Sequence, residues 1–336
     1  MITELKLKSR FLRPAPILTM LLSAALLVSS QGTVAIAQDT STLLVLRSMP
    51  KSRKADAPIT MASVLQSDVS EIKIGGKPAV ITAWTPLLGG PTTLQLVVLL
   101  DSEQRIGVEH QFDDIKNLFN RLPPNVEIAV GYLQQGKAKI AQTFTTDRTL
   151  AGNALHLPTE EEAADPRNNN GNPYHCLQDL AFHWPDPDPK KVRAVLMFTS
   201  GFDSYSTRFQ GMDTLNPDVD LASRGLIRAG IAPFAFLYEE PVPPIGRKAG
   251  GCRDCLDQLT AATNGQAFYY PPTAHATHVS FAPLLSRFYS LLNSEAVVTV
   301  TAKGSGLKPL DIKSGRDDIK VVGPDSVMIG NALPVK

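Results

Sequence analysis

The stretch LQLVVLLD at residues 94–101 constrains the fold of this chain more than any other part of the sequence. Six of its first seven residues are aliphatic, without helical spacing or alternation, and a carboxylate ends the run. Such runs are typical of strands that are buried on both faces of a parallel sheet. Similar runs occur at Val192 to Gly201 and at Ile231 to Glu240. We therefore expect a parallel sheet that is covered by helices on both faces.

Strand and helix patterns alternate between residues 94 and 293, which predicts an α/β fold. The expected architecture is a doubly wound, mostly parallel sheet flanked by helices, which is Rossmann-like. Residues 126–144 are predicted to add an antiparallel strand pair at one edge, and alternation around Gly75-Gly76 predicts a β-hairpin ahead of the sheet. Residues 294–336 are predicted to form a small C-terminal β element, so short extra β-strands are expected at both ends.

The first 37 residues have the three-part pattern of a secretory signal peptide. Basic residues precede an apolar stretch at 17–28, and the small-x-small sequence Ala35-Ile36-Ala37 follows just before Gln38. We expect cleavage after Ala37 and export to the periplasm or the extracellular space. An uncleaved anchor is the alternative, but the apolar stretch is shorter than the ~18 residues of a full span. Residues 38–64 are polar without a sustained period, which predicts a linker.

Composition excludes several functional classes. The formal net charge is +1 at pH 7 and no five like charges follow one another, so neither a nucleic-acid groove nor a polybasic membrane patch is expected. No segment after the signal peptide is apolar enough to cross a bilayer, so we expect no membrane span after cleavage. The three cysteines are too few for a disulfide framework.

Polar residues follow the predicted central strands. In open α/β sheets, ligands bind outside the carboxyl ends of the strands. We therefore expect one ligand-binding edge, which the polar loop at 158–173 helps to shape. The residues of this edge that follow the central strands are Asp101, Ser102, Glu103, Thr199, Ser200 and Asp203.

Four features of the sequence together resemble a known family. They are the buried strand that ends in Asp101, the strand VRAVLMFTSGFDS, the helix before Asn264-Gly265-Gln266 and the entry SDVSEIKIGGKPAVITAW. This order resembles the von Willebrand factor type A domain, and more narrowly the bacterial secreted proteins called von Willebrand factor A-related. The resemblance covers residues 65–293, which are expected to form a von Willebrand factor A-like domain with its preceding β-hairpin. It implies a protein ligand at the sheet edge.

In that family three loops hold a divalent cation at the sheet edge, and the first loop has the sequence Asp-x-Ser-x-Ser. The corresponding positions here are Asp101, Glu103 and Arg105. Mg²⁺ prefers six oxygen ligands, whereas a guanidinium offers only hydrogen-bond donors. Arg105 is expected either to turn inward and pair with Asp101, or to lie on the surface while Asp101 and Glu103 bind a cation weakly.

The second and third loops also depart from the family. The second loop supplies a Thr, whereas this chain has Asn172 in the stretch Gly171-Asn172-Pro173-Tyr174. The third loop is usually Thr-Asp-Gly and here is Thr199-Ser200-Gly201, with Asp203 two residues further on. We therefore expect a degenerate metal site and no cofactor, with Mg²⁺ or another divalent cation as the alternative.

Cys252 and Cys255 form a Cys-x-x-Cys motif near a predicted helix start, where thiolates are stabilised. A disulfide or a structural role is favoured, and redox catalysis is the alternative.

The leading function is an exported, non-enzymatic protein-binding or scaffolding module of von Willebrand factor A type. An exported thiol-disulfide oxidoreductase and an inert structural member of an envelope assembly remain as alternatives. The sequence does not identify the partner.

Overall fold

The computed structural model describes residues 39–51, 62–101, 111–156, 172–199, 201, 217–237, 249–269 and 280–330. The strands are, in chain order, β1 (Asp39–Pro50), β2 (Val69–Ile74), β3 (Lys77–Pro78), β4 (Val80–Pro86), β5 (Leu94–Asp101), β6 (Val126–Gln134), β7 (Lys137–Thr145), β8 (Val192–Thr199), β9 (Ile231–Leu237), β10 (Gln266–Tyr269), β11 (Ala296–Lys303), β12 (Gly306–Ser314), β13 (Ile319–Val322) and β14 (Ser326–Ile329). The α-helices are α1 (Phe112–Arg121), α2 (Arg148–Asn153), α3 (Pro173–Phe182), α4 (Pro217–Ala229), α5 (Ala249–Ala262) and α6 (Ala282–Ser294).

Six strands form the central sheet, in the order β10-β9-β8-β5-β6-β7. Neighbouring strands run parallel, except that β7 pairs antiparallel with β6 at one edge. From β5 the chain runs outward to β7, then returns to β8 beside β5 and runs outward to β10. The order therefore reverses between β5 and β8, which makes this position a topological switch point. The predicted α/β class and the antiparallel strand pair are confirmed.

Helices cover both faces of the central sheet because its strands carry apolar side chains on both sides. Every residue of β5 and of β8 is buried. On one face, Leu96 belongs to an apolar cluster that it shares with α1, α2 and α6. On the other face, Leu99 belongs to a second cluster that it shares with α3, α4 and α5. Successive side chains of β5 thus point into two different cores, as the continuous apolar run predicts.

The other eight strands form two antiparallel sheets, β13-β1-β11-β4 and β14-β12-β2-β3. Leu44, Ile72 and Val298 contribute to one apolar cluster that these two sheets share. The strands come from segments both before and after the central sheet. They form a β-sandwich in which the two ends of the described chain pair with each other.

The structure corrects two predicted boundaries. Residues 39–50, predicted as part of a linker over 38–64, form β1, which lies between β13 and β11. Leu44 and Leu46 are buried there in the sandwich, and the short apolar run at 43–46 within a polar stretch was the signal. The residues predicted as a C-terminal β element at 294–336 do not form a unit of their own, because β11 pairs with β1 and β4 and β12 pairs with β2. The antiparallel part is therefore larger than the short extra strands that were predicted.

The predicted β-hairpin is confirmed in a shorter form. β2 pairs with β3 across Gly75 and Gly76, whose φ angles of 60° and 76° are readily adopted only by glycine. β4 then leaves the hairpin and pairs with β11 in the other sheet of the sandwich.

Within the described ranges, no helix combines the length and apolar character that a membrane span requires. The predicted signal peptide lies outside these ranges.

A buried ion pair joins β1 to the start of β11. Arg47 Nη1 lies 3.8 Å from Glu295 Oε1, and Arg47 Nη2 donates a hydrogen bond to the carbonyl oxygen of Gly265 at 2.7 Å. Within the described part of the chain, Nη1 and Oε1 have no hydrogen-bond partner. Burial raises the pKa of Glu295 to about 7, and the positive charge of Arg47 opposes this shift. The carboxyl group is therefore half protonated near neutral pH.

Candidate functional site

The carboxyl ends of β5 and β8 meet at the switch point. Asp101 ends β5 and is 4% exposed, and Thr199 ends β8 and is fully buried. The Thr199 hydroxyl donates a hydrogen bond to Asp101 Oδ2 at 3.2 Å and accepts one from the backbone N–H of Gly201 at 3.0 Å. Two residues that were predicted from the sequence to share one edge are therefore in contact. We call this region, with the start of α3 and of α4, the switch-point edge.

Asn172 caps α3 at this edge. Its Oδ1 accepts hydrogen bonds from the backbone N–H groups of Tyr174 at 2.9 Å and His175 at 3.0 Å. Pro173 occupies the first turn, where a missing N–H costs no helical hydrogen bond. Because both contacts satisfy backbone donors, the side-chain oxygen of Asn172 is used by the helix itself.

Asp218 joins the first turns of α3 and α4. Its Oδ2 accepts a hydrogen bond from Asn172 Nδ2 at 3.2 Å, and its Oδ1 lies 3.1 Å from His175 Nε2. The N-terminus of a helix favours a carboxylate, because the unpaired N–H groups carry partial positive charge. Both oxygens of this carboxylate are therefore engaged from α3, which fixes the two helix starts against each other.

Tyr174 connects this pair of helices to β8. Its hydroxyl donates a hydrogen bond to the carbonyl oxygen of Gly201 at 2.9 Å, and the side chain is 1% exposed. A continuous set of contacts thus runs from Asp101 through Thr199 and Gly201 to α3. His175 is the most exposed side chain of this set, at 34%. The network holds backbone segments in place and presents an imidazole to solvent.

Most of the described oxygen atoms of this edge are engaged in hydrogen bonds within the protein. Mg²⁺ takes six oxygen ligands in near-octahedral order. Here the oxygen of Asn172 serves the helix cap, the hydroxyl of Thr199 serves Asp101 and Gly201, and the oxygens of Asp218 serve α3. Among the described residues, no group of three or more His, Cys, Asp or Glu side chains is arranged to hold a metal ion. The described part of the edge is a hydrogen-bonded network.

The predicted edge residues fall into two groups. The structure places Asp101, Asn172 and Thr199 at the switch point. The others lie outside the described residues, namely Ser102, Glu103, Arg105, Ser200 and Asp203.

Sequence reasoning missed the contribution of Tyr174, His175 and Asp218. The helix starts were marked by Asn172-Pro173 and Pro217-Asp218, since Pro favours the first helical turn. The contact between the two starts is long-range, so local patterns did not predict it.

The cysteines are placed in the core that α3, α4 and α5 share. Cys176 is fully buried, and its thiol donates a hydrogen bond to the carbonyl oxygen of Lys137 at 3.1 Å. Burial raises the pKa of this thiol, and the carboxylates of Asp101 and Asp179 raise it further, so the unreactive protonated form is favoured. Cys255 is 6% exposed on α5, while the side chain of Cys252 lies outside the described part. A Cys252–Cys255 disulfide and redox activity both stay predictions.

Comparison with known proteins gives similarity in structure only. No protein-family model matches the chain, and no curated protein matches it. The SpRpn10 VWA domain is similar with a TM-score of 0.40 at 13% identity, over 58% of this chain and 95% of that one. An aerotolerance-related membrane protein from Bacteroides fragilis has a TM-score of 0.43 at 14% identity, over 60% of this chain and 98% of that one. BatB from Bacteroides thetaiotaomicron has a TM-score of 0.41 at 15% identity, over 59% and 98% of the two chains.

The strand order and the position of the site define the class of this protein. It is an α/β domain with a polar edge at the switch point of its central sheet, to which a β-sandwich is added. A von Willebrand factor A domain is among the solved structures to which it is similar.

Proposed function

We propose that this chain is a non-enzymatic protein-binding module of von Willebrand factor A type, which binds its partner at the switch-point edge. The observation that supports this proposal best is the network from Asp101 to Asp218, which fixes the ends of β5, β8, α3 and α4 around one surface. Ligands of open α/β sheets bind at this position. A rigid edge suits recognition, because little conformational entropy is lost when the partner binds.

Partner binding at this edge is proposed to need no divalent cation. The described oxygens of Asn172, Thr199 and Asp218 are engaged within the protein. By resemblance to the family, Glu103 and Arg105 stand where two Ser ligands would be. A guanidinium receives a carboxylate through two parallel hydrogen bonds, so Arg105 would bind an acidic side chain of the partner in place of the metal ion.

The mature chain is proposed to act after export. The signal-peptide pattern ends at Ala37, and β1 begins at Asp39, so cleavage there would leave the whole strand in the mature protein. The pairing of β1 with β11 and β13 would then be complete without the leader.

Photo-crosslinking from α3 tests the proposed binding edge. The photoreactive residue p-benzoylphenylalanine replaces His175, which is 34% exposed at the start of the helix. The matched control carries it in place of His183, which is 70% exposed at the other end of the same helix. After irradiation in envelope extract, position 175 should give one protein adduct that position 183 does not give. EDTA added before irradiation should not reduce the yield of this adduct.

Three results would count against the proposal. Equal adducts from both positions would show that the partner is not bound at the switch-point edge. The absence of any adduct at position 175 would oppose a protein partner at this edge. Loss of the adduct in EDTA would show that binding depends on a metal ion.

A further inference from the structure

A cavity of about 360 Å³ lies at the opposite end of the central sheet from the switch-point edge. Its wall is formed by residues 191–193 at the start of β8, 227–232 around the start of β9, 41–45 of β1 and residues near β14. It therefore lies between the central sheet and the β-sandwich. The volume is within the range of about 300–1,000 Å³ in which small-molecule sites occur. We call it the amino-end cavity.

Most of the wall of the amino-end cavity is apolar. Leu43 and Val45 come from β1, Val192 and Ile231 begin the two central strands, and Val327 comes from β14. Apolar walls of this kind hold the body of a ligand by the hydrophobic effect. The cavity is also open to solvent on one side, since the exposed side chain of Arg228 belongs to its wall.

The charged groups of the wall have one sign. Lys191, Arg193 and Arg228 line the cavity, and the described wall includes no Asp or Glu. The positive charge of Lys191 is balanced by two carboxylates outside the wall, because its Nζ lies 2.7 Å from Asp186 and 3.0 Å from Glu127. The wall as a whole therefore favours an anion.

Arg193 is the charge that a ligand would meet in the interior. It is 4% exposed, and its Nη1 and Nη2 donate hydrogen bonds to the carbonyl oxygens of Ala229 at 2.9 Å and Asp188 at 3.0 Å. The carboxylates of Asp186 and Asp188 act on it through space. Among described residues, no carboxylate oxygen lies within 4.0 Å of this guanidinium. Burying a cation in this way is costly unless an anion accompanies it.

Two residues of the wall each carry one buried polar atom without a hydrogen-bond partner among the described residues, Arg193 Nε and Asn264 Oδ1. The Asn264 side chain is 4% exposed, and its Nδ2 donates to the carbonyl oxygen of Val45 at 2.9 Å, which fixes the direction of the amide. Arg193 Nε is a hydrogen-bond donor on a cationic group, and Asn264 Oδ1 is a hydrogen-bond acceptor. Native proteins rarely leave such groups unsatisfied, so each indicates a missing partner.

We infer that the amino-end cavity binds a small amphiphilic acid, whose carboxylate accepts a hydrogen bond from Arg193 and whose amide N–H or hydroxyl donates to Asn264. The apolar body of the ligand packs against β1 and the starts of β8 and β9. This site is independent of the switch-point edge, because the two lie at opposite ends of the central strands.

Isothermal titration calorimetry of the purified chain with N-octanoylglycine tests this inference, since that probe combines an apolar chain, an amide N–H and a carboxylate. Its methyl ester is the neutral control and should bind about tenfold more weakly or worse, because a hydrogen bond to a charged group is lost. Arg193→Met should abolish binding of the acid. Because that variant removes contacts that hold two loops and can fail to fold, two milder variants accompany it.

Arg228→Gln removes an exposed charge from the wall and should weaken binding of the acid several-fold. Its matched control is Arg224→Gln on the same helix, whose exposed guanidinium pairs with Asp220 outside the wall and should leave the affinity unchanged. Thr42→Trp fills the cavity from β1 and should prevent binding.

Three results would overturn the inference. One is the absence of heat when the acid is titrated into the folded wild type, which is the result expected if water alone satisfies the two polar atoms. Another is equal affinity for the acid and its ester. The third is unchanged binding by the folded Thr42→Trp variant, which would place the probe elsewhere.

Discussion

Replacing Glu295 by glutamine should remove a pH dependence of stability that the buried ion pair creates. The side chain of Glu295 is 2% exposed, and its pKa is raised from 4.5 to about 7 because burial disfavours the charged form. A group whose folded pKa is raised binds its proton more tightly in the folded state. The contribution of this proton to the unfolding free energy is therefore full at pH values below about 4.5, and it is lost as the pH rises through about 7.

The size of the effect follows from the same pKa difference. At about 1.4 kcal/mol per pKa unit, ionisation of Glu295 should cost about 3 kcal/mol of unfolding free energy by pH 8. The distance of 3.8 Å to Arg47 explains why the attraction does not cancel this cost, since neither contacting atom makes a hydrogen bond within the described residues. At pH 5 glutamine and the protonated carboxyl group are similar, so the two proteins should differ least there.

Urea unfolding at pH 5, 6, 7 and 8, followed by fluorescence of the two tryptophans, measures this effect. The wild type should lose about 2–3 kcal/mol relative to Glu295→Gln between pH 5 and pH 8, because the unfolded carboxyl group is already partly ionised at pH 5. Glu71→Gln is the matched control, because the side chain of Glu71 is 37% exposed beside Lys73 and should change little. Parallel stability curves for wild type and Glu295→Gln would refute the reasoning, as would a difference that grows toward low pH.

Three further predictions concern the leader, the cysteines and the helix cap. N-terminal sequencing of exported protein should begin near Gln38, and a sequence that begins at Met1 would favour an anchor. The Cys176 thiol should resist alkylation until the protein unfolds, and insulin reduction that disappears in Cys252→Ser would instead support the oxidoreductase. Asn172→Ala should lower the unfolding free energy by about 1–2 kcal/mol, with Asn172→Ser close to wild type, and equal losses would contradict the capping role.

The central sheet could be predicted from the sequence because its signals are local. The apolar run of β5 and the turn at Gly136 each lie within one short segment. The β-sandwich was harder to predict, since β1 pairs with β11 from the other end of the described chain. The only apolar signal within residues 39–50 is the run at 43–46, and this strand acquires its partners only in the folded protein.

The candidate site also contains one contact that the sequence predicts and one that it does not. Asp101 and Thr199 could be predicted to meet, because each ends a central strand and adjacent parallel strands end at the same edge. The contact of His175 with Asp218 could not be predicted, because it depends on how α3 and α4 pack.

Calorimetric titration with Mg²⁺, Mn²⁺ and Ca²⁺ tests most directly whether the switch-point edge works without a metal ion. Chelator-treated wild type and the near-isosteric variant Asp101→Asn are titrated side by side, and Arg105→Ser tests whether the guanidinium replaces the cation. The proposal predicts no binding heat from wild type and a gain of affinity in Arg105→Ser, because removing the positive charge leaves the carboxylates free for a cation. Micromolar binding by the wild type that is lost in Asp101→Asn would contradict the proposal.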